Sequence, residues 1–187
     1  MNRSTEKKTT EESNNNDNTM FHIGPRKQFL SDDEYFMIAA HLTAQRSKDP
    51  VTPVGACIVT SDGKLAGTGF NKMPDGCLDD EFPWDERDLK NKYDTKFPYV
   101  THAELNALME KQGCDVRGGK IYITLFPCND CAKMIIQAGI KHVFYASDKY
   151  RDSNIYLMKA SEMMMDSAGV TYTKLRPTSI VISPEEE

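Results

Sequence analysis

The chain has 187 residues, of which 39% are hydrophobic and 27% charged, with a formal net charge of −5. That is enough apolar residue for one domain with its own core, and it excludes the basic balance of a non-specific polynucleotide binder. No apolar run is long enough to span a membrane, no secretory leader is expected, and five cysteines, an odd number, suit a reducing compartment with the cytoplasm as the expected location.

Residues 1–25 are polar and repetitive, rich in Thr, Glu, Lys, Ser and Asn, and are expected to form a disordered tail. A single domain is expected over 26–182, followed by an acidic tail at 183–187. Ser31-Asp-Asp-Glu34 reads as a capping box ahead of Tyr35, Phe36, Ile38, Ala39 and Leu42, predicting an amphipathic helix to about Arg46. Pro50 ends that stretch. Residues 54–60 predict a buried strand, Ser61-Asp-Gly-Lys64 a turn, and 65–70 a second strand completing a hairpin, with Cys57 as a core residue. Residues 71–77 are loop. Residues 78–99 are acidic, aromatic and irregular, and read as a lid, an interface or a packed surface loop.

Beyond that loop the spacing predicts a helix over 101–111, a strand over 120–125 and a helix opening near Cys128. A strand over 142–146 follows, then a polar loop and a helix over 154–167 carrying Met158, Met163, Met164 and Met165, read as core. Ala168-Gly169 closes that helix, 170–175 predict the last strand, and 179–182 a further edge. The pattern is α/β: a mixed sheet of about five strands with covering helices in three layers.

Two segments concentrate the chemistry: Val100-Thr101-His102-Ala103-Glu104 and Phe126-Pro127-Cys128-Asn129-Asp130-Cys131. They spell H-x-E and P-C-x-x-C, the pattern in which one His and two Cys hold Zn²⁺ while a Glu shuttles protons without touching the metal. Zinc takes imidazole and thiolate ligands in a tetrahedron, and three protein ligands leave one position for water. Cys128 and Cys131 are spaced to share a face of a helix's first turn, where the dipole favours thiolates. Other readings fit parts of the pattern. Thr101-x-x-Glu104 also matches a capping box, and a C-x-x-C pair can be redox-active or half of a closed structural zinc site, with Cys114 or His142 as fourth ligand.

The chain resembles the cytidine deaminase superfamily, and within it the deoxycytidylate (dCMP) deaminases. The resemblance covers about residues 35–175 and rests on Ala44-Gln-Arg-Ser-Lys-Asp-Pro50, Val54-Gly-Ala-Cys-Ile-Val59, Gly69-Phe-Asn-Lys-Met-Pro-Asp-Gly-Cys77, Tyr99-Val-Thr-His-Ala-Glu-Leu-Asn-Ala107, Leu125-Phe-Pro-Cys-Asn-Asp-Cys-Ala132, Ile136-Gln-Ala-Gly-Ile140 and Ser147-Asp-Lys-Tyr150. It implies a cytidine deaminase-like three-layer α/β/α fold and zinc-dependent hydrolysis of dCMP to dUMP and ammonia, supplying dUMP for thymidylate synthesis. It further implies a homo-hexamer activated by dCTP and inhibited by dTTP, with Mg²⁺ accompanying a triphosphate effector.

By the same resemblance, His102, Cys128 and Cys131 match the zinc ligands, Glu104 the proton shuttle, Asn71 the reader of the sugar and phosphate side, Arg46 and Ser47 a phosphate segment, and Tyr150 a loop near the substrate. A dianionic phosphate suits Arg46 and Ser47, though Arg46 at a helix C-terminus also suits dipole complementation. The loop of Lys72, Met73, Pro74 and Gly76 is the candidate effector loop, and it departs from the expected Asn-Gly-Met-Pro by carrying Lys72 in place of glycine. The zinc motif itself is compatible with deamination of another cytosine compound, guanine or a tRNA base, and with a non-catalytic zinc module. Cys77 and Cys114 carry no assigned role.

Overall fold

The computed structural model describes residues 24–27, 29–86, 91–149 and 155–176. Most of the expected N-terminal tail, Tyr150, the further edge at 179–182 and the acidic C-terminus lie outside the described residues.

Helix α1 spans Asp32–Ala44, and its capping box forms: Ser31 Oγ accepts from Glu34 N at 3.3 Å, while the Glu34 carboxylate accepts from Ser31 N at 3.0 Å. Strands β1 (Gly55–Val59) and β2 (Leu65–Phe70) make the expected antiparallel hairpin, turning through Gly63 at φ +82°. Helix α2 is Ala103–Met109, β3 is Lys120–Leu125, α3 is Asn129–Gln137, β4 is His142–Ser147, α4 is Ile155–Ser167 and β5 is Thr171–Lys174. The sheet order is β2-β1-β3-β4-β5, with β1 antiparallel to both neighbours and β3, β4 and β5 parallel. The expected five-stranded mixed sheet is therefore present.

Strand alternation sorts the core into two layers. Ile121, Ile123, Val143 and Tyr145 face α2, α3 and α4, and pack with Ala107, Ala132, Ile135, Met158 and Met165. Tyr122, Cys57 and Ala146 point the other way, against Phe36, Met37 and Ala40 of α1. The α4 methionines divide: Met158 and Met165 are core as expected, while Met163 is exposed. Two glycines set the helix–sheet spacing. A Cβ at Gly55 would fall 2.0 Å from the Ala40 carbonyl oxygen, and one at Gly69 would fall 2.2 Å from Ala107 N. Only glycine lets α1 and α2 approach the hairpin so closely.

The described residues of the 78–99 segment are neither helix nor strand apart from a 3₁₀ turn at Lys92–Asp94, and some of them pack while others, Tyr93 and Phe97 among them, are exposed. The Trp84 indole donates to the Asp79 carbonyl at 3.1 Å, and Phe82 meets Tyr99 edge-on. The Lys96 side chain is buried.

Candidate active site

The helix starts differ from expectation, α2 by two positions and α3 by one. Helix α2 begins at Ala103, so His102 is its N-cap in extended backbone and Thr101 lies outside the helix. No Thr101–Glu104 capping box forms. Glu104 sits in the first turn and is 4% exposed, which removes the bland reading of this residue as a surface cap. Cys128 is likewise the N-cap of α3, with Cys131 buried in its first turn.

Because β1 is antiparallel to both β2 and β3, those two strands end at the same end of the sheet, where the Lys72–Thr101 bridge holds the start of α2 and β3 leads into α3, and three donor atoms meet there. His102 Nδ1 lies 3.3 Å from Cys131 Sγ and 3.5 Å from Cys128 Sγ. Zinc–nitrogen bonds of 2.0–2.1 Å and zinc–sulfur bonds of 2.3 Å at tetrahedral angles imply an N···S edge of about 3.5 Å, so the donor set fits a zinc ion. Among the described residues, His102, Cys128 and Cys131 form the one cluster of metal-ligating side chains. Neither Cys114 nor His142 joins it. Cys114 packs against the core, and His142 Nδ1 lies 2.7 Å from Thr171 Oγ1. The closed four-ligand site expected on one reading does not form from these residues.

The electrostatics match. A hydrogen bond from Cys131, with His102 adding to it, brings the Cys128 thiol down to about 4. The same contact holds the Cys131 thiol far above its ordinary value. The hydrogen bond to Cys128 raises His102 to about 9. Cys128 is thereby inclined toward its thiolate form, and a bound dication would displace the remaining protons. Burial pushes the Glu104 carboxyl above the usual carboxylate range, opposed by the neighbouring His102. A carboxyl poised this way can both accept and return a proton.

The predicted nucleotide-contact residues fall in two places. Asn71 follows β2 beside the metal cluster, because Lys72 N donates to the Thr101 carbonyl and Thr101 N to that of Lys72, at 3.2 and 2.9 Å. Its side chain is heavily engaged: Nδ2 donates to Asp49 Oδ2 at 2.9 Å and to the Thr52 carbonyl at 3.1 Å, and Oδ1 accepts from Val54 N at 2.8 Å. Ser47 Oγ donates to the Asn71 carbonyl at 2.9 Å and accepts from Asp49 N at 3.2 Å, so it braces this segment. Arg46 points elsewhere. Its guanidinium stacks 4.8 Å over the Phe70 ring and, with Lys72, lines a cavity of about 450 Å³ along β2 and α2 that also takes in Asn106, Glu110 and Gln112. No member of the metal cluster lines that cavity.

Sequence reasoning missed Asp49 and Lys96. Asp49 stands before a helix-breaking proline and within a segment that carries the resemblance, with no role of its own there, although an Asp at that place is a ready acceptor for the backbone that follows. Lys96 carries no signal of its own in the sequence, standing close to Lys90 and Lys92.

Residues 30–147 match the family described as the cytidine and deoxycytidylate deaminase zinc-binding region. The deoxycytidylate deaminase of Pongo abelii is 57% identical over 152 residues, spanning 81% of this chain and 84% of that protein. That of Homo sapiens is 55% identical over the same span, and a probable deoxycytidylate deaminase of Drosophila melanogaster is 45% identical over 172 residues, 87% of this chain and 84% of that protein. Among solved structures, the dCMP deaminase of cyanophage S-TIM5 in complex with dCMP and dUMP superposes with a TM-score of 0.57 at 30% identity, covering 76% of this chain and 95% of that one. The expected cytidine deaminase-like fold is thereby confirmed, and the chain belongs to the cytidine and deoxycytidylate deaminase family.

Proposed function

We propose that this protein hydrolyses dCMP to dUMP and ammonia, with His102, Cys128 and Cys131 as zinc ligands and Glu104 as the proton shuttle. The observation that carries the reading is the convergence of one imidazole nitrogen and two sulfurs at tetrahedral spacing beside a buried carboxyl. The similarity to deoxycytidylate deaminases, and to a structure solved with dCMP and dUMP, supports the choice of substrate.

When bound, the zinc ion supplies a Lewis acid that makes water a nucleophile near neutral pH. The protein's own groups do the rest. Glu104 takes the proton released as water attacks carbon 4 of the cytosine and delivers it to ring nitrogen 3. It then passes the second proton to the departing amine, so that the C–N bond breaks, ammonia leaves and the carbonyl of uracil remains. Asn71, at the end of β2, meets the sugar and phosphate side of the nucleotide, and Ser47 fixes its backbone. Tyr150, outside the described residues, is assigned to substrate binding in the same proposal on the resemblance alone.

The reading carries finer parts. Activation by dCTP and inhibition by dTTP, with Mg²⁺ accompanying the triphosphate, fit the cavity where Arg46 and Lys72 bring two cations together. This placement favours Arg46 at an effector's phosphates over the substrate's, with Lys72, Met73, Pro74 and Gly76 as the responsive loop. A homo-hexamer would cover Tyr35 and Leu42 on α1 and Ile155, Tyr156 and Met163 on α4, all exposed. Among the described residues no helix is long and apolar enough to cross a membrane. A cytoplasmic site, supplying dUMP for thymidylate synthesis, completes the proposal.

The test is the cytosine-to-uracil absorbance change on zinc-loaded protein with dCMP, deoxycytidine and CMP, each with and without dCTP or dTTP. Preference for dCMP, raised by dCTP and lowered by dTTP, is expected. Equal turnover of deoxycytidine would overturn the substrate, and indifference to both triphosphates would overturn the effector cavity.

A further inference from the structure

A chain of buried polar groups runs from the nucleotide side of the site into the 78–99 segment. Asp49 is its centre, with a side chain only 1% exposed. Its Oδ1 accepts from Val51 N and Thr52 N at 3.0 and 2.9 Å, and its Oδ2 accepts from Asn71 Nδ2 at 2.9 Å. The same Oδ2 accepts from the ammonium of Lys96, 47 residues along the chain and 6% exposed. Lys96 also donates to the Glu86 carboxylate, which stands on the outer side and is 23% exposed.

This arrangement decides which way the Asn71 carboxamide points. A carboxamide can flip, exchanging its acceptor and its donors, unless its partners discriminate. The acceptors Asp49 Oδ2 and Thr52 O hold the NH₂ on one side, and the donor Val54 N holds Oδ1 on the other. One lone pair of Oδ1 is then left in a fixed direction for a ligand's donor. Asp49 plays this part by accepting on both oxygens, and its burial calls for the ammonium beside it.

We infer that Asp49 and Lys96 are positioning residues for nucleotide binding: Lys96 neutralises and fastens Asp49, and Asp49 orients the Asn71 carboxamide. Neither needs to touch substrate. The inference rests on the assignment of Asn71 to the nucleotide under the proposed function. It gives residues 78–99 a task beyond packing, since Lys96 is the point through which that segment reaches the site. Glu86 serves as a control, because it holds the same lysine from the outside without contact to Asp49 or Asn71 among the hydrogen bonds observed.

The experiment compares Lys96→Met, Asp49→Asn and Glu86→Gln with the unaltered zinc-loaded protein, reading KM and kcat for dCMP and zinc per chain well below the melting temperature. Loss of a binding contact made equally in ground and transition states raises KM and spares kcat. For Lys96→Met and Asp49→Asn, KM is expected to rise about tenfold or more, with kcat within about threefold and zinc unchanged. Glu86→Gln is expected to lose thermal stability while KM stays within about twofold. Asp49→Asn keeps the side chain's size and covers the case in which Lys96→Met does not fold. Unchanged KM in both, an equal KM rise in Glu86→Gln, or loss of zinc would each overturn the inference. A crystal structure of Asp49→Asn supplies a reading independent of turnover: the Asn71 carboxamide is expected to be rotated or displaced, and an unmoved carboxamide overturns the inference. Should the unaltered protein fail on dCMP, the proposed function falls, and this structural arm still decides the role of Asp49.

Discussion

At the residue scale, the catalytic proposal turns on one carboxyl. Glu104 is buried, held above the usual carboxylate range by that burial, and separated from the ligand His102 by a single residue. Glu104→Gln keeps the shape and removes the proton carrier, so turnover is expected to fall by about 10² to 10⁴ while zinc content is retained. Ammonia release and metal analysis on the same sample check it; substantial turnover would remove Glu104 from the mechanism. This residue and the cluster of His102, Cys128 and Cys131 were legible because their chemistry is local. H-x-E and P-C-x-x-C fix donor types within a few positions, and strand β3 between them brings the two pairs together. Asp49 and Lys96 were not legible for the opposite reason: the ion pair spans 47 residues, and no periodicity announces it. Arg46 was legible as a cation, but its direction depends on the ring of Phe70, which only the folded hairpin supplies.

At the scale of elements, a helix boundary was legible where cap chemistry marks it, as at Ser31 and at Ala168-Gly169. Ser31 caps α1 where its side-chain chemistry says it should. Helix α2, expected to reach Lys111, stops at Met109 because Gln112 and Gly113 enter the left-handed region at φ 47° and 77°. A lone Gly after a polar run hid that turn. The seat of α1 on the sheet gives a pH prediction. Asp33 is drawn upward by burial, but hydrogen bonds from Tyr122 and Lys120 outweigh this and leave its carboxyl below the ordinary 3.8. A folded-state value below the unfolded one stabilises fully above the unfolded value, and that stability is lost as pH falls through the lower folded value. Asp33→Asn should therefore be less stable than the natural chain at about pH 7, with the difference narrowing at a pH well below 3.8. Urea midpoints at both values test it, and a difference that persists in acid would mean the loss is one of packing.

At the scale of the whole molecule, a mixed sheet with covering helices was legible from the hairpin and the alternation of strands and helices, while its order came from the fold, in which α3 and α4 are the crossovers that parallel β3, β4 and β5 require. The same topology makes the metal a polymer cross-link. His102 and Cys128 are 26 residues apart, and tying them through one ion closes a ring containing α2 and β3. Holding the ends of a flexible ring of that length together costs about 3 kcal/mol of chain entropy, which falls to packing alone once the ion is gone. Chelation should therefore quicken amide exchange first within residues 101–131, leaving α1 against β1 protected. Mass spectrometry of deuterium uptake would show this, and uniform loss of protection would mean that the clasp holds the entire domain. The ion that serves the chemistry would then also set how long the ring stays shut between turnovers.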